Sequence, residues 1–565
     1  MSNRLDRRTF LTGTAAGLGS LVILGDPAAA LAAGRRRVRR AQTPLALDGR
    51  FAQSVASGQP GQNAITLWTK VDELTRASRL QVEVSPDRDF RRIIARKDVV
   101  AGPETGYTVN TRVSARALRP GEQYFYRFYT CNENSPVGRF KTARPADSRE
   151  PVRIGFFSCQ EFNSGFYTAH AALAQESDLD LVVCLGDYIY EKNFEDRPVR
   201  DDTTGANRDG EVQTLPEYRD KYSLYHSDQD LLAVRASHPM MAIWDDHEVE
   251  DNYAAGRQGG QTDDRRIPYA QRQANAYTAF FEYMPRIRAR DDRDRTFGRL
   301  PLGANADVFL LDTRRFRDDQ PCNPSDTGFM PCPPAVRADP SRTLLGARQK
   351  SWLLNGLASS QATWKVVANQ IMIMALDAPR LSPLNTDQWD GYEAERRELL
   401  EFVQARGVRD LTFLTGDIHT FFAGNVSPSG RQDELSNPGS AATEFVGGAI
   451  TSKGIADQQG EPPADAVAIP SDESVYANNP HIRFSNQRFK GYGVLEARPS
   501  ELVVQYRAVQ TTQSRTSSAF TLASFRVASG TPRVEVTQQP AAGPRPLPQI
   551  GAGAARARAR RRRRR

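Results

Sequence analysis

From Val152 onward the chain alternates short apolar runs with longer helical stretches, and no other feature restricts the fold as much. The runs Val152–Phe157, Leu179–Leu185, Met240–Ile243, Val308–Leu311, Trp364–Ala368 and Leu411–Leu414 read as buried strands. Strands spaced by helices indicate an α/β domain. In folds of this class, binding sites form at the carboxyl ends of the strands, and here the chemically capable residues follow the strands directly. Four segments stand out: Gly155-Phe156-Phe157-Ser158-Cys159-Gln160, Gly186-Asp187-Tyr188-Ile189-Tyr190-Glu191, Trp244-Asp245-Asp246-His247-Glu248 and Thr415-Gly416-Asp417-Ile418-His419-Thr420.

The remainder of the chain is of a different kind. Residues 48–145 are all-β: Ala64–Thr69, Leu80–Val84 and Tyr124–Tyr129 read as short strands separated by Pro60-Gly61, Pro86-Asp87 and Pro120-Gly121. That spacing suggests a small immunoglobulin- or fibronectin-like sandwich with nothing catalytic in it. Pro145-Ala146-Asp147-Ser148 is a linker, and residues 150–537 form the second domain, ending in further β segments from Tyr492. At the N-terminus, Arg7-Arg8-Thr9-Phe10-Leu11 precedes an apolar stretch to Leu24 and the small-residue site Ala30-Leu31-Ala32. This reads as a twin-arginine export signal over residues 1–32, or else an ordinary secretory signal. Either places the protein outside the cytoplasmic membrane, secreted, periplasmic or cell-wall associated, and the first makes the twin-arginine export machinery a partner.

The formal charge of +8 belongs to the ends. Arg556, Arg558 and Arg560–Arg565 supply eight positive charges, the basic linker 33–47 contributes five through Arg35, Arg36, Arg37, Arg39 and Arg40, and residues 1–32 one more, which leaves Ala41–Gly553 at −6. The Arg-rich tail, 538–565, reads as a solvated, disordered end, and no nucleic-acid partner is expected. Of the five cysteines, Cys184 lies in an apolar run, and Cys322 and Cys332 bracket a Pro-rich loop where an oxidising compartment allows a bridge.

Hydrolysis of a phosphoester needs a deprotonated water, neutralised phosphoryl oxygens and in-line geometry. Two metal ions sharing a carboxylate supply all three. Asp187, directly after a strand, is the natural bridge. Tyr190, three residues on, can turn back on the same cation. Asp417 and His419 are separated by one residue, so an extended backbone would point both to one side. Phenolate and thiolate are ligands for a hard trivalent ion.

These motifs resemble the PhoD-like alkaline phosphatase family of the calcineurin-like metallophosphoesterase superfamily. The likeness runs through Val55-Ala56-Ser57-Gly58 and Leu67-Trp68-Thr69 in the β domain. It continues through Gly186–Glu191, Trp244–Val249, Asp312-Thr313-Arg314, Trp389-Asp390-Gly391-Tyr392 and Gly416–His419. The resemblance implies a metallophosphoesterase α/β sandwich and an exported alkaline phosphatase and phosphodiesterase, working by in-line attack of metal-bound water on small phosphate esters. It implies a ferric ion (Fe3+) held by Cys159, Asp187, Tyr190 and His419, with Asp187 bridging to calcium (Ca2+) bound by Asn252 and Asp417. Asp246 competes with Asn252 for that ligand role, since most of the superfamily has Asn-His where Asp246-His247 stands. His247 protonates the leaving group or steadies the phosphoryl oxygens, and Arg314 is the candidate phosphate clamp. The superfamily's further histidine ligand would fall near Asn369 and Gln370, which favours an oxygen-rich calcium site.

Taken singly, several of these residues have plainer readings. Cys159 could be core packing, Tyr190 an aromatic wall, Asp246 and Glu248 carboxylates at a helix start, and Trp389–Tyr392 a turn or a pocket rim. His170, His226 and His238 read as surface or packing residues, and His481 as a loop or supporting residue. Two alternatives to the phosphatase remain: a phospholipase D-type diesterase on the same fold, acting on phospholipid, and a non-catalytic envelope-binding protein.

Overall fold

The computed structural model describes residues 45–260, 265–322, 332–378, 383–430, 439–454, 457 and 472–538. The signal segment 1–32, the basic linker as far as 44 and the tail beyond 538 lie outside these residues. Gln538 itself closes the strand Glu535–Gln538.

Two seven-stranded sheets carry the second domain. The first runs in the order Met240–Ala242, Leu181–Cys184, Val152–Phe157, Lys490–Ala497, Glu501–Val509, Ala519–Ala528, Glu535–Gln538. Its first three strands are parallel and the rest antiparallel. The C-terminal β segments are therefore not an appendage: Val494 pairs with Gly155 and Leu495 with Ile154, which encloses Val152–Phe157 on both edges. The second sheet is ordered Gly298–Pro301, Ala306–Leu310, Trp364–Asn369, Leu411–Thr415, Ala442–Val446, Phe421–Val426, Ile482–Asn486.

Alternation along each strand explains the layering. Ile154, Phe156, Leu181 and Val183 pack inward against Val308, Leu310, Val366 and Leu414 of the other sheet. Phe157, Val182 and Cys184 face outward onto the helices Thr168–Leu173, Leu215–Tyr225, Gln229–Ser237 and Tyr269–Tyr283. On the far side Phe309, Val367 and Phe413 face Gly346–Ser359 and Glu393–Ala405. Strands covered on both faces have no polar side, so they read in sequence as continuous apolar runs.

The N-terminal β region is built from a three-stranded sheet (Val55–Gly61, Ala64–Lys70, Thr108–Ser114) and a four-stranded sheet (Ala95–Ala101, Ser78–Ser85, Gln123–Tyr129, Gly138–Lys141). In Gln123–Tyr129 the residues Tyr124, Tyr126 and Phe128 are buried and their neighbours are not, the period-two signature of a strand with one covered face. This layer is fastened to the second domain: the Trp68 indole donates to the Glu282 carbonyl at 2.7 Å, and Asn110 donates to the carbonyls of Phe281 and Met284. Cys322 and Cys332 are bonded as a disulfide, and Cys184 is fully buried in the core. Among the described residues, no helix is long and apolar enough to cross a membrane.

Candidate metal centre

The parallel strands of both sheets end on one edge of the sandwich, which brings the four segments together. Two glycines make the approach possible. Gly186 has φ +115°, and a Cβ there would lie 2.5 Å from Asp245 Cβ. At Gly416 a Cβ would lie 2.7 Å from Ser158 Cβ, where the loops of the two sheets meet. A side chain at either point would force the loops apart.

Past these glycines the backbone turns sharply. Cys159 (φ 58°), Asp187 (54°), Asn252 (56°), Asp417 (62°) and His419 (56°) all adopt the left-handed region, which costs an L-residue about 1–2 kcal/mol. The extended backbone expected between Asp417 and His419 is therefore corrected: each residue turns back, and the bends rather than alternation aim the two side chains. Such strain persists only where surrounding contacts impose it, and it gathers at functional sites.

Asp187 is the centre of the first group. Cys159 Sγ and the Tyr190 hydroxyl each lie 3.4 Å from its Oδ2, and Tyr190 Oη lies 3.1 Å from His419 Nε2. His419 Nδ1 donates to the Lys453 carbonyl at 2.6 Å. Burial, aided by Lys490, lowers its pKa to about 4, so Nε2 keeps its lone pair free for a cation. Ligand atoms of Cys159, Asp187 and His419 lie within 4.8 Å of one another, as do those of Asp187, Asp246 and His247, and of Asp245, Asp246 and Asp417. Asn252 is tied to Asp246 Oδ2 by its backbone amide, at 2.7 Å.

The electrostatics call for added positive charge. Burial pushes the Asp187 carboxyl well above its ordinary range; His247 opposes this, and Asp246, Asp245 and Glu248 reinforce it. Burial and Asp187 likewise raise the Cys159 thiol and the Tyr190 phenol. Asp417 is pushed up to about 7 by burial, despite Arg314. Asp187 Oδ1 and Asp245 Oδ2 are buried without a hydrogen-bond partner, and Asp246 Oδ1 has only the Arg314 guanidinium at 3.5 Å. Thiol, phenol, imidazole and crowded carboxylates are a donor set that fits metal ions, whose charge would reverse these shifts.

The sequence profile of the PhoD-like phosphatases matches residues 154–506, and that of their N-terminal domain matches residues 38–144. The chain belongs to the PhoD-like phosphatase family. It is 34% identical to alkaline phosphatase D of Bacillus subtilis (strain 168) over 548 residues, covering 93% of this chain and 88% of that protein. A solved structure of PhoD superimposes with a TM-score of 0.75 at 31% identity, covering 86% of this chain and 92% of the other. Purple acid phosphatase PPD1 from yellow lupin (Lupinus luteus) shares the fold, at TM-score 0.53 and 13% identity, with 86% and 75% coverage. This member of the family is a phosphoric ester hydrolase with clusters of metal-capable side chains.

Several residues of this phosphatase stand differently from the sequence expectation. Arg314, expected as a phosphate clamp, has a side chain with no exposed surface. Its Nε pairs with Asp245, and its terminal nitrogens reach Asp387 at 2.8 and 3.0 Å and Asp417 at 3.1 Å. A guanidinium whose donors are taken by carboxylates orders those carboxylates instead of reaching substrate. No helix starts at Asp246: the chain makes a turn there, with Val249 and Glu250 donating to the Asp246 carbonyl. Gln370 donates to the carbonyls of Trp244 and Leu311 and so pins strand ends from both sheets. Trp389 is fully buried and its indole donates to Asn369 Oδ1 at 3.3 Å, so that motif supports the site from behind instead of forming its rim. His170, His226 and His238 are buried, which is the packing alternative of the two expected. His481 holds the Ala375 carbonyl at 2.9 Å.

Four supporting residues went unrecognised in the sequence. Glu248 accepts the backbone amides of Asp187 (3.2 Å), Tyr188 (2.7 Å) and Asp245 (2.8 Å), locking two strand-end loops together. Glu191 Oε2 holds His247 Nδ1 at 2.9 Å. Asp387 receives Arg314 and Arg317, and Gln388 donates to Asp417 Oδ2 at 2.5 Å. The available signal was position: Glu191 and Glu248 lie inside recognised motifs and Asp387 and Gln388 beside one, but contacts with distant amides and side chains leave no periodicity to read.

Proposed function

We propose that this phosphatase acts outside the cytoplasmic membrane, after twin-arginine export, on phosphate monoesters and diesters at neutral to alkaline pH. The observation that carries the reading is the convergence of Cys159, Tyr190 and His419 on Asp187. In this reading those four residues would hold a ferric ion. A calcium ion would be held by Asp187 and Asp417, with the Asn252 amide oxygen or Asp246 as the remaining ligand. Bound ions supply charge neutralisation at the phosphoryl oxygens and acidify water for in-line displacement without a covalent phosphoenzyme. Elemental analysis and a visible spectrum of the purified holoenzyme test it: iron, calcium and a thiolate or phenolate absorption band are expected. Chelation should abolish hydrolysis of a chromogenic phosphoester, and restoring both ions should recover it. A colourless, iron-free and active preparation would refute the iron assignment.

His247 is the proton donor to the leaving oxygen. Without bound metal, burial works against its protonation, but Asp246, Glu191 and Asp187 outweigh it and raise its pKa well above the usual imidazole value; with Asp187 and Asp246 engaged by ions, Glu191 is the carboxylate that would still hold the proton there. Activity that needs this proton persists as pH rises until the raised pKa is passed. Glu191→Gln removes one of the stabilising charges, so the alkaline limb of the kcat/KM profile should move to lower pH; an unmoved limb would count against the role. The Arg run 560–565 favours a phospholipid diester as a second substrate class, since it would bind anionic membranes. Rates on phosphatidylcholine in vesicles that also contain an anionic lipid, and on a soluble monoester, with and without residues 554–565, separate the two.

A further inference from the structure

Beyond Glu191 the chain leaves the site as Lys192-Asn193-Phe194-Glu195, and this segment is pinned from two sides. The Phe194 amide donates to Glu161 Oε1 at 3.1 Å, and Glu195 accepts the Ser164 hydroxyl at 2.7 Å and pairs with Lys453 at 2.6 Å. Lys453 is the residue whose carbonyl orients His419. Phe194 is thereby held against the metal-capable cluster. Its ring stands perpendicular to His247, with centroids 4.9 Å apart at 78°, and to Tyr190, at 5.8 Å and 81°. The Lys192 ammonium lies over the ring, 4.8 Å from its centroid. The ring is only partly buried, although a phenylalanine with so many aromatic neighbours could have been enclosed among them.

The position has a chemical meaning once His247 is the proton donor. The leaving oxygen must come within hydrogen-bond reach of the imidazole. The first carbons of the alcohol then lie within a few ångströms of a ring whose centroid is 4.9 Å from that imidazole. The phosphoryl group would be directed toward Asp187 and His419, beside Tyr190. We infer that Phe194, with Lys192 on its face, is the leaving-group subsite, and that it selects phosphate esters of aromatic alcohols over aliphatic ones of equal size and basicity. Aromatic pairs in offset or edge-to-face contact gain more than their buried area alone provides, whereas a saturated ring of the same bulk gains area only. The inference rests on the reading of His247 as proton donor, and the experiment separates the two.

Benzyl phosphate and cyclohexylmethyl phosphate are compared on the full-length metal-loaded enzyme, since their alcohols are alike in size and acidity. The wild type should prefer the benzyl ester by about three- to tenfold in kcat/KM, the scale of one aromatic pair. In Phe194→Ala the ratio should fall toward one, chiefly through a higher KM for the benzyl ester, and Phe194→Tyr should restore it. An equal loss on both esters would mean that Phe194 only buttresses His247, and it would overturn the proposal. A wild type that does not distinguish the two esters would overturn it as well. His247→Gln should slow benzyl phosphate more than 4-nitrophenyl phosphate, whose leaving group needs little protonation. Equal slowing removes the proton-donor reading and the subsite placed by it, whatever the ester ratio shows.

Discussion

Replacing Asp187 with Asn is expected to lower hydrolysis of a chromogenic phosphoester by at least about 10³-fold, the upper scale for loss of one preorganised group at a transition state. The change is nearly isosteric. The contact that fixes the Asp187 backbone, its amide donating to Glu248, does not involve the side chain and survives. What disappears is the one negative charge lying between Cys159, Tyr190 and the remaining carboxylates. A neutral amide cannot replace a carboxylate shared between cations, so the content of bound metal should fall along with activity. The thermal midpoint measured after chelation should stay near that of the chelated wild type. Cys159→Ser should show the same pattern, with the visible band lost or shifted. Full activity in both variants would sink the assignment of these residues.

The second large effect is on stability. Arg314→Met should destabilise the fold by about 3–5 kcal/mol, as when one partner of a buried ion pair is removed. The guanidinium is completely enclosed and meets Asp245, Asp387 and Asp417 from three loops. Methionine fills comparable volume but leaves Asp245 and Asp417 without their cation, while Asp387 keeps Arg317. Arg314→Lys should recover little, because a single ammonium cannot replace the planar fork that meets separate carboxylates in one plane. The sign of the pH dependence follows. Without bound metal Asp417 is pushed up to about 7 even with Arg314 present, and the folded-state pKa values of Asp245 and Asp417 rise further in the variant. An acid whose folded pKa exceeds its unfolded value loses stability as pH rises through that range. The deficit in urea unfolding of the chelated protein should therefore be smaller at pH 5 than at pH 8. A variant as stable as the wild type at pH 8 would show that another group neutralises the cluster.

The organisation of the catalytic layer was legible because its causes are local. A strand covered on both faces must be apolar along its length, so Val152–Phe157 and Leu411–Leu414 could be recognised from composition alone. The residues that follow a parallel strand must emerge on one edge, which made Cys159, Asp187, Asp246 and Asp417 candidates before any contact was known. The strands Phe421–Val426, Ala442–Val446 and Ile482–Asn486 were harder to find. They carry Gly424, Asn425, Glu444 and Asn486 among their apolar residues, and one of the three, Phe421–Val426, runs antiparallel to the core of the second sheet.

Arg314 shows where reading from sequence stops. An arginine after a strand, in a chain rich in phosphoesterase motifs, reads as a phosphate ligand. Its actual surroundings include Asp245 from 69 residues away and Asp387 from 73 residues away. Burial of that kind depends on the packing of separate loops, and no local pattern encodes it. Glu248 and Glu191 are similar: their partners are backbone amides and an imidazole, which leave no spacing rule in the chain.

The amino-acid sequence by itself determined which residues carry metal-capable chemistry and which strands deliver them, because side-chain type and apolar runs are local properties. Tertiary structure decided how those residues are aimed. The left-handed turns at Cys159, Asp187, Asp417 and His419, the glycines that let two sheets' loops touch, and the enclosure of Arg314 all arise from contacts between distant segments. So does the completion of the first sheet by Lys490–Ala497. The orientation of the site is thus a property of the packed sandwich, since only there do the opposing loops exist to hold one another in strained positions.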